Sequence, residues 1–286
     1  MKNFADFLKE EKNILHCGAT GTELMKRGGI TPGGISNLTH RELVKEIQKE
    51  YVDVGAKILL TCTFSMNEIY AANHAKGYDW SEINKAGVII AKEAADGKAY
   101  VLGNMGPTGE LMEPVGTLNA EKAESTFAAQ AQILADCGVD GFSVQTFYDL
   151  AELKAAIKGI RSVSTLPIMA SIVLQQNGAT FMGLRLEKAY EELMPLGIQC
   201  LGHNCGDIDA VTLGDIMAPL VKSFKIPTMA CINAGLPKVK NGETYYDMNP
   251  QEFATGIQYL KNKGICVLGG CCGAGKDHIA AAAQIL

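Results

Sequence analysis

The sequence predicts a single (β/α)8 barrel over residues 1–286, and three observations predict it. Short β-rich runs recur along the whole chain, helical stretches separate them, and the runs number eight. An open doubly wound sheet usually has five or six strands, so eight favours the closed barrel.

The predicted strands are Ile14–Gly18, Lys57–Phe64, Ala99–Gly106, Gly141–Phe147, Pro167–Leu174, Cys200–Cys205, Pro227–Ala234 and Cys266–Cys272. Between the first two, Leu43, Val44, Ile47, Tyr51 and Val54 fall on one face of a helix. Between the third and fourth, Ala128, Ala131, Leu134 and Ala135 do the same. Asp247–Pro250 reads as a turn into the seventh helix, with Asn249 as its N-cap. The last helix, Lys276–Leu286, ends the chain, and no linker-like composition precedes it, so no second domain is expected.

Composition excludes several classes. Hydrophobic residues make up 47% of the chain and charged ones 20%, as in a globular protein. The formal charge of −5, without a run of Lys and Arg, argues against nucleic acid as a partner. The N-terminus has no apolar leader region and no stretch approaches membrane-spanning length, so a cytoplasmic protein is expected. Nine cysteines, an odd number, fit thiols or metal ligands better than a disulfide framework. Cys62, Cys137, Cys200, Cys231 and Cys266 sit in apolar patterns and read as small core hydrophobes.

In such a barrel the reacting groups lie at the C-terminal ends of the strands. The sequence there reads His16-Cys17-Gly18, Thr61-Cys62-Thr63-Phe64, Gly103-Asn104-Met105-Gly106-Pro107, Gln145-Thr146-Phe147, His203-Asn204-Cys205-Gly206, Ile232-Asn233-Ala234-Gly235 and Gly269-Gly270-Cys271-Cys272-Gly273. Successive strand side chains point to opposite faces, so Cys271 and Cys272 reach one site only if the chain bends. Glycines 269, 270, 273 and 275 would permit the bend. Cys205, two strands away around the ring, would then supply a third sulfur. Three thiolates suit one Zn²⁺ and leave its fourth tetrahedral position open, the arrangement of a catalytic site. A thiol entering that position would lose its proton near neutral pH. Spacing alone leaves open a buried, inert Cys-Cys pair. It also leaves open a barrel in which zinc is only structural, acting as a non-catalytic subunit of a corrinoid complex.

Gly269-Gly270-Cys271-Cys272-Gly273 followed by Asp277-His278-Ile279, with Gly202-His203-Asn204-Cys205 and Ile232-Asn233-Ala234-Gly235, resembles the homocysteine S-methyltransferase family. Gly18-Ala19-Thr20-Gly21-Thr22, Gly106-Pro107-Thr108-Gly109 and Gly138-Val139-Asp140 resemble most the homocysteine-binding barrel of cobalamin-dependent methionine synthase. The resemblance covers essentially the whole chain. It implies a (β/α)8 barrel and a zinc-dependent methyltransferase acting on a small-molecule thiol. It places the zinc cysteines at Cys205, Cys271 and Cys272, and puts at Asn233 a residue that occupies the fourth metal position until a thiol displaces it. Asn233 read by itself is equally a brace for its loop. Cys17, Gly18, Gln145 and Asn204 fall where the family meets its substrate.

Two of those positions depart from the family. Where its members carry an Asp and a Glu that hold the ammonium of homocysteine, this chain has Cys17 and Gln145. An ammonium left without its buried counter-charge typically costs about 3–5 kcal/mol. The expected thiol is therefore either not homocysteine or is held by a remodelled clamp, to which Glu110, Glu113 or Asp149 would lend charge. The chain ends after the eighth helix, so the methyl group is expected from a separate corrinoid protein carrying cobalamin, with a small sulfonium or ammonium donor as the second choice. Gly270–Asp277 has the outline of a phosphate-binding loop but places Asp277 where the metal-binding hydroxyl belongs, which excludes that reading.

Overall fold

In the computed structural model, which describes residues 1–31, 33–240 and 243–286, eight parallel strands form the predicted barrel. They are β1 (Ile14–Leu15), β2 (Ile58–Leu60), β3 (Tyr100–Met105), β4 (Gly141–Phe147), β5 (Ile168–Ile172), β6 (Cys200–Asn204), β7 (Thr228–Ile232) and β8 (Val267–Gly270). Hydrogen bonding runs β1-β8-β7-β6-β5-β4-β3-β2. The seam between β1 and β2 is drawn together by a parallel bridge from His16 to Ile58, with Lys57 N donating to Leu15 O at 2.8 Å and Cys17 N to Ile58 O at 3.0 Å.

The helical stretches cover the outside because each carries one apolar face. In Arg41–Asp53, Val44, Ile47, Tyr51 and Val52 are buried. In Ala120–Asp136 the buried face is centred on Ala123, Phe127, Ala131 and Leu134, so Ala128 and Ala135 lie at its edge rather than on it. The other outer helices are Trp80–Ala95, Leu150–Val163, Leu186–Leu193, Ala210–Ser223, Pro250–Asn262 and Lys276–Ala283. Their starts face the mouth, where Asn119, Asp149, Asp209 and Asn249 cap them by accepting from backbone N–H groups. Asn249 and Glu252 form a reciprocal capping box.

Apart from β4, the strands are shorter than predicted, mostly at their C-terminal ends. Residues 17–18, 61–64, 233–234 and 271–272 leave the ladder and become the loops of the mouth. Among the predicted core cysteines, Cys62, Cys200 and Cys231 are buried, whereas Cys137 and Cys266 are only partly so. Cys266 sits at the far end of the barrel, its thiol donating to Glu11 O at 3.2 Å. Among the described residues no helix is long and apolar enough to cross a membrane.

Candidate metal and thiol site

β8 ends at Gly270, and the next residues form a tight turn closed by Ala274 N donating to Cys271 O at 3.0 Å. Only one of the four glycines thought to permit this bend uses the left-handed region, Gly273 with φ 79°. A Cβ there would also lie 2.4 Å from the Tyr246 ring. Cys271 N donates to Ile232 O at 2.7 Å, and Ala234 N to Cys272 O at 2.9 Å, so the turn is tied to the end of β7.

Cys205 follows β6 in the left-handed conformation, with φ 64°, and Gly206 continues it at 73°. A non-glycine residue is held there only by surrounding structure. Here the holder is His203. Its Nδ1 accepts from Leu174 N at 3.1 Å, which leaves Nε2 to donate to Cys205 O at 2.8 Å. Burial lowers the His203 pKa to about 4, so the ring is a neutral clamp at neutral pH.

These two turns bring the sulfurs of Cys205, Cys271 and Cys272 within 4.8 Å of one another, with 3.7 Å between Cys205 Sγ and Cys272 Sγ. Two sulfurs bound at about 2.3 Å to one tetrahedral zinc lie about 3.8 Å apart. Three soft sulfurs at that spacing fit zinc. Without metal the cluster shares its charge unevenly. Cys205 is held well below the usual thiol range because Cys271 and Cys272 donate to it, and those two are pushed above that range in return. Tyr246 adds a hydrogen bond to Cys272.

Asn233 stands beside this cluster at the end of β7. Its Nδ2 donates to Gly206 O at 2.7 Å, while its Oδ1 is buried with no partner. An orphaned amide oxygen is a donor atom suited to a metal's fourth position.

Asn204 is buried with no exposure and its amide is fully used. Its Oδ1 accepts from Thr146 N at 2.9 Å and Ser171 Oγ at 2.7 Å, and its Nδ2 donates to Thr146 Oγ1 at 2.8 Å and to Cys271 Sγ at 3.7 Å. It braces the Cys271 turn and does not line the cavity. Thr146 is another left-handed position at the mouth, with φ 69°. The irregular register of β4 against β5 between Val144 and Phe147 lets both Gln145 and Thr146 face the opening.

The three cysteines form one wall of a cavity of about 450 Å³ at the mouth. The lining also includes Gly18–Thr22, Thr61, Cys62 and Phe64, together with His16 and Asn104. Gly18 and Gln145 therefore line it, but Cys17 does not: its side chain is 1% exposed, and burial pushes its thiol up to about 12. Glu110 and Glu113 are exposed outside the cavity, and Asp149 is spent on capping its helix. No Asp, Glu, Lys or Arg lines the cavity among the described residues. Sequence reasoning singled out neither His16 nor Asn104, although both stood in the strand-end segments. Met105, Met112 and Phe147 near the strand ends are buried in the core.

A model of the family described as homocysteine S-methyltransferase matches residues 14–286, and the chain belongs to that family. It is 29% identical over 282 residues to methionine synthase of Mycobacterium leprae, and 28% identical over 282 residues to that of Mycobacterium tuberculosis. Each match takes in 92% of this chain but only 23% and 24% of the relative, so the chain spans about a quarter of the length of these proteins. Among solved structures, the metallated form of the homocysteine methyltransferase MmuM from Escherichia coli superposes with a TM-score of 0.81 at 19% identity, covering 98% of both chains. The apo form of that protein gives 0.76 at 20% identity over the same 98% of each.

Proposed function

We propose that this chain moves a methyl group to or from the sulfur of a small thiol, at a zinc site built from Cys205, Cys271 and Cys272. The observation that carries the reading is the convergence of those sulfurs, two of them 3.7 Å apart, on the wall of an open cavity. Zinc in such a site supplies the positive charge that keeps a bound thiol deprotonated near neutral pH.

The protein's own residues do the positioning. His203 and Gly206 fix the Cys205 turn, Gly273 and Tyr246 fix the Cys272 turn, and Asn204 couples Cys271 to the Gln145–Thr146 lip. Asn233 offers its free Oδ1 to the fourth position until a thiol takes it. A structural site would be four-coordinate and closed, whereas here the fourth side faces the cavity.

The methyl donor is a separate corrinoid protein. Exposed apolar side chains ring the mouth on loops after four strands: Phe64 after β2, Leu111 and Val115 after β3, Phe181 and Met182 after β5, and Leu236 after β7. Such a rim suits a macromolecule seated over the opening better than a diffusing sulfonium. The resemblance to the barrel of cobalamin-dependent methionine synthase makes that macromolecule a corrinoid carrier. Zinc-loaded protein mixed with a thiol and methylcobalamin should produce the S-methyl thioether with loss of the Co–CH3 absorbance. Transfer from S-methylmethionine but not from methylcobalamin, free or protein-bound, would overturn the donor assignment.

A further inference from the structure

The cavity beside the sulfur cluster carries a pattern of its own. It is lined by threonines, amides, apolar groups and the cysteines, with no Asp, Glu, Lys or Arg among the described residues, so its charge sits on the cysteine sulfurs. Two of its lining residues hold buried atoms without a partner, His16 Nε2 and Asn104 Oδ1, and these residues are 1% and 7% exposed.

Their chemistry has the same sign. His16 Nδ1 lies 3.1 Å from Cys17 O. A carbonyl only accepts, so Nδ1 carries the hydrogen and Nε2 is a bare acceptor. Burial lowers the His16 pKa to about 4, so the ring stays neutral at neutral pH. Asn104 Oδ1 is likewise an acceptor, and the Asn104 backbone is already committed, its N–H to Thr61 Oγ1 and its O to Thr63 Oγ1. Buried acceptors left empty are costly, which makes them the natural contacts of a ligand that brings hydrogens.

We infer that the thiol taken by this site carries an uncharged, hydrogen-donating tail, a hydroxyl or carboxamide, which His16 and Asn104 receive. This rests on the proposed thiol site at Cys205, Cys271 and Cys272. An ammonium in this cavity would find acceptors but no carboxylate counter-charge, and a carboxylate would find no cation and, on these two residues, a donor only in the Asn104 amide NH2. A hydroxyl meets the acceptors without either cost.

The test is calorimetric titration of the zinc-loaded full chain with 2-mercaptoethanol, cysteamine, 3-mercaptopropionate, L-homocysteine and ethanethiol. The hydroxyl thiol is expected to bind at least tenfold more tightly than the two ionised thiols of its size and than homocysteine. His16→Phe and Asn104→Leu should each reduce the ratio of mercaptoethanol to ethanethiol affinity by about tenfold, or about 1.4 kcal/mol. If His16→Phe does not fold, Asn104→Leu carries the same comparison. Asn104→Asp should reverse the preference toward cysteamine. Homocysteine or cysteamine binding as tightly as mercaptoethanol to the unmodified protein would overturn the inference while leaving the thiol site intact. Failure of every thiol, ethanethiol included, would remove the thiol site and the inference with it.

Discussion

Cysteine occurs in two settings within this barrel, and they behave as different residues. Cys200 and Cys231 lie inside β6 and β7, essentially unexposed, and burial raises their thiols far above the ordinary range. Cys205, Cys271 and Cys272 lie one or two residues beyond β6 and β8, where left-handed turns point them at one another. Between Cys200 and Cys205 there are four residues and a change of role, from core filler to the most acidic thiol of a cluster. The difference lies in backbone geometry and neighbours, since the side chain is the same.

The largest effect should separate those groups directly. Replacing Cys272 by Ala is expected to lower zinc affinity by well over the roughly 10–100-fold typical of losing an outer partner, with the fold retained by circular dichroism. Loss of the fold with normal zinc uptake in refolded protein would break the distinction.

The two histidines behind the site give the next effect, on stability in the metal-free protein. His16 and His203 titrate near 4 in the fold but near 6.5 when unfolded. The unfolded chain therefore binds more protons between those values, and stability falls as pH drops from about 6.5 to about 4, by up to about 3 kcal/mol for each ring. Urea unfolding at pH 7 and pH 4.5, with His203→Gln for comparison, reads this out, and a flat profile would contradict the neutral-clamp assignment.

Asn204→Ala tests whether the turns are held from behind. It should weaken zinc binding by roughly tenfold and cost about 1–3 kcal/mol of stability from unpaired buried groups, because Thr146 N and Ser171 Oγ lose their acceptor. The smallest effect belongs to the strand group. Cys231→Ala should cost about 1 kcal/mol and leave the zinc titration unchanged. A drop in zinc affinity there would erase the contrast between the two settings.

The barrel was legible in the sequence because eight strand–helix repeats leave few alternatives, and the seven-residue β4 ran to its predicted bounds, Gly141–Phe147. The cysteine cluster was legible because adjacent cysteines among glycines demand a bend, though the bend uses Gly273 alone as a left-handed residue while Gly269 and Gly270 are needed for close approach to His16 and Ala274. Side-chain direction at the strand ends was not legible. β1 ends at Leu15 instead of running to Gly18, and His16 lines the cavity where Cys17 was expected. Asn204, placed among substrate contacts by resemblance, turns its amide away because Thr146 and Ser171 complete its hydrogen bonds, a pairing across three strands that no local pattern encodes.

The central claim is an open three-sulfur metal centre, and zinc K-edge absorption of the zinc-loaded protein, recorded with and without a bound thiol, tests it most directly. Three sulfurs and one oxygen or nitrogen ligand should become four sulfurs when the thiol is added. A closed four-ligand shell that the thiol leaves unchanged would contradict the account.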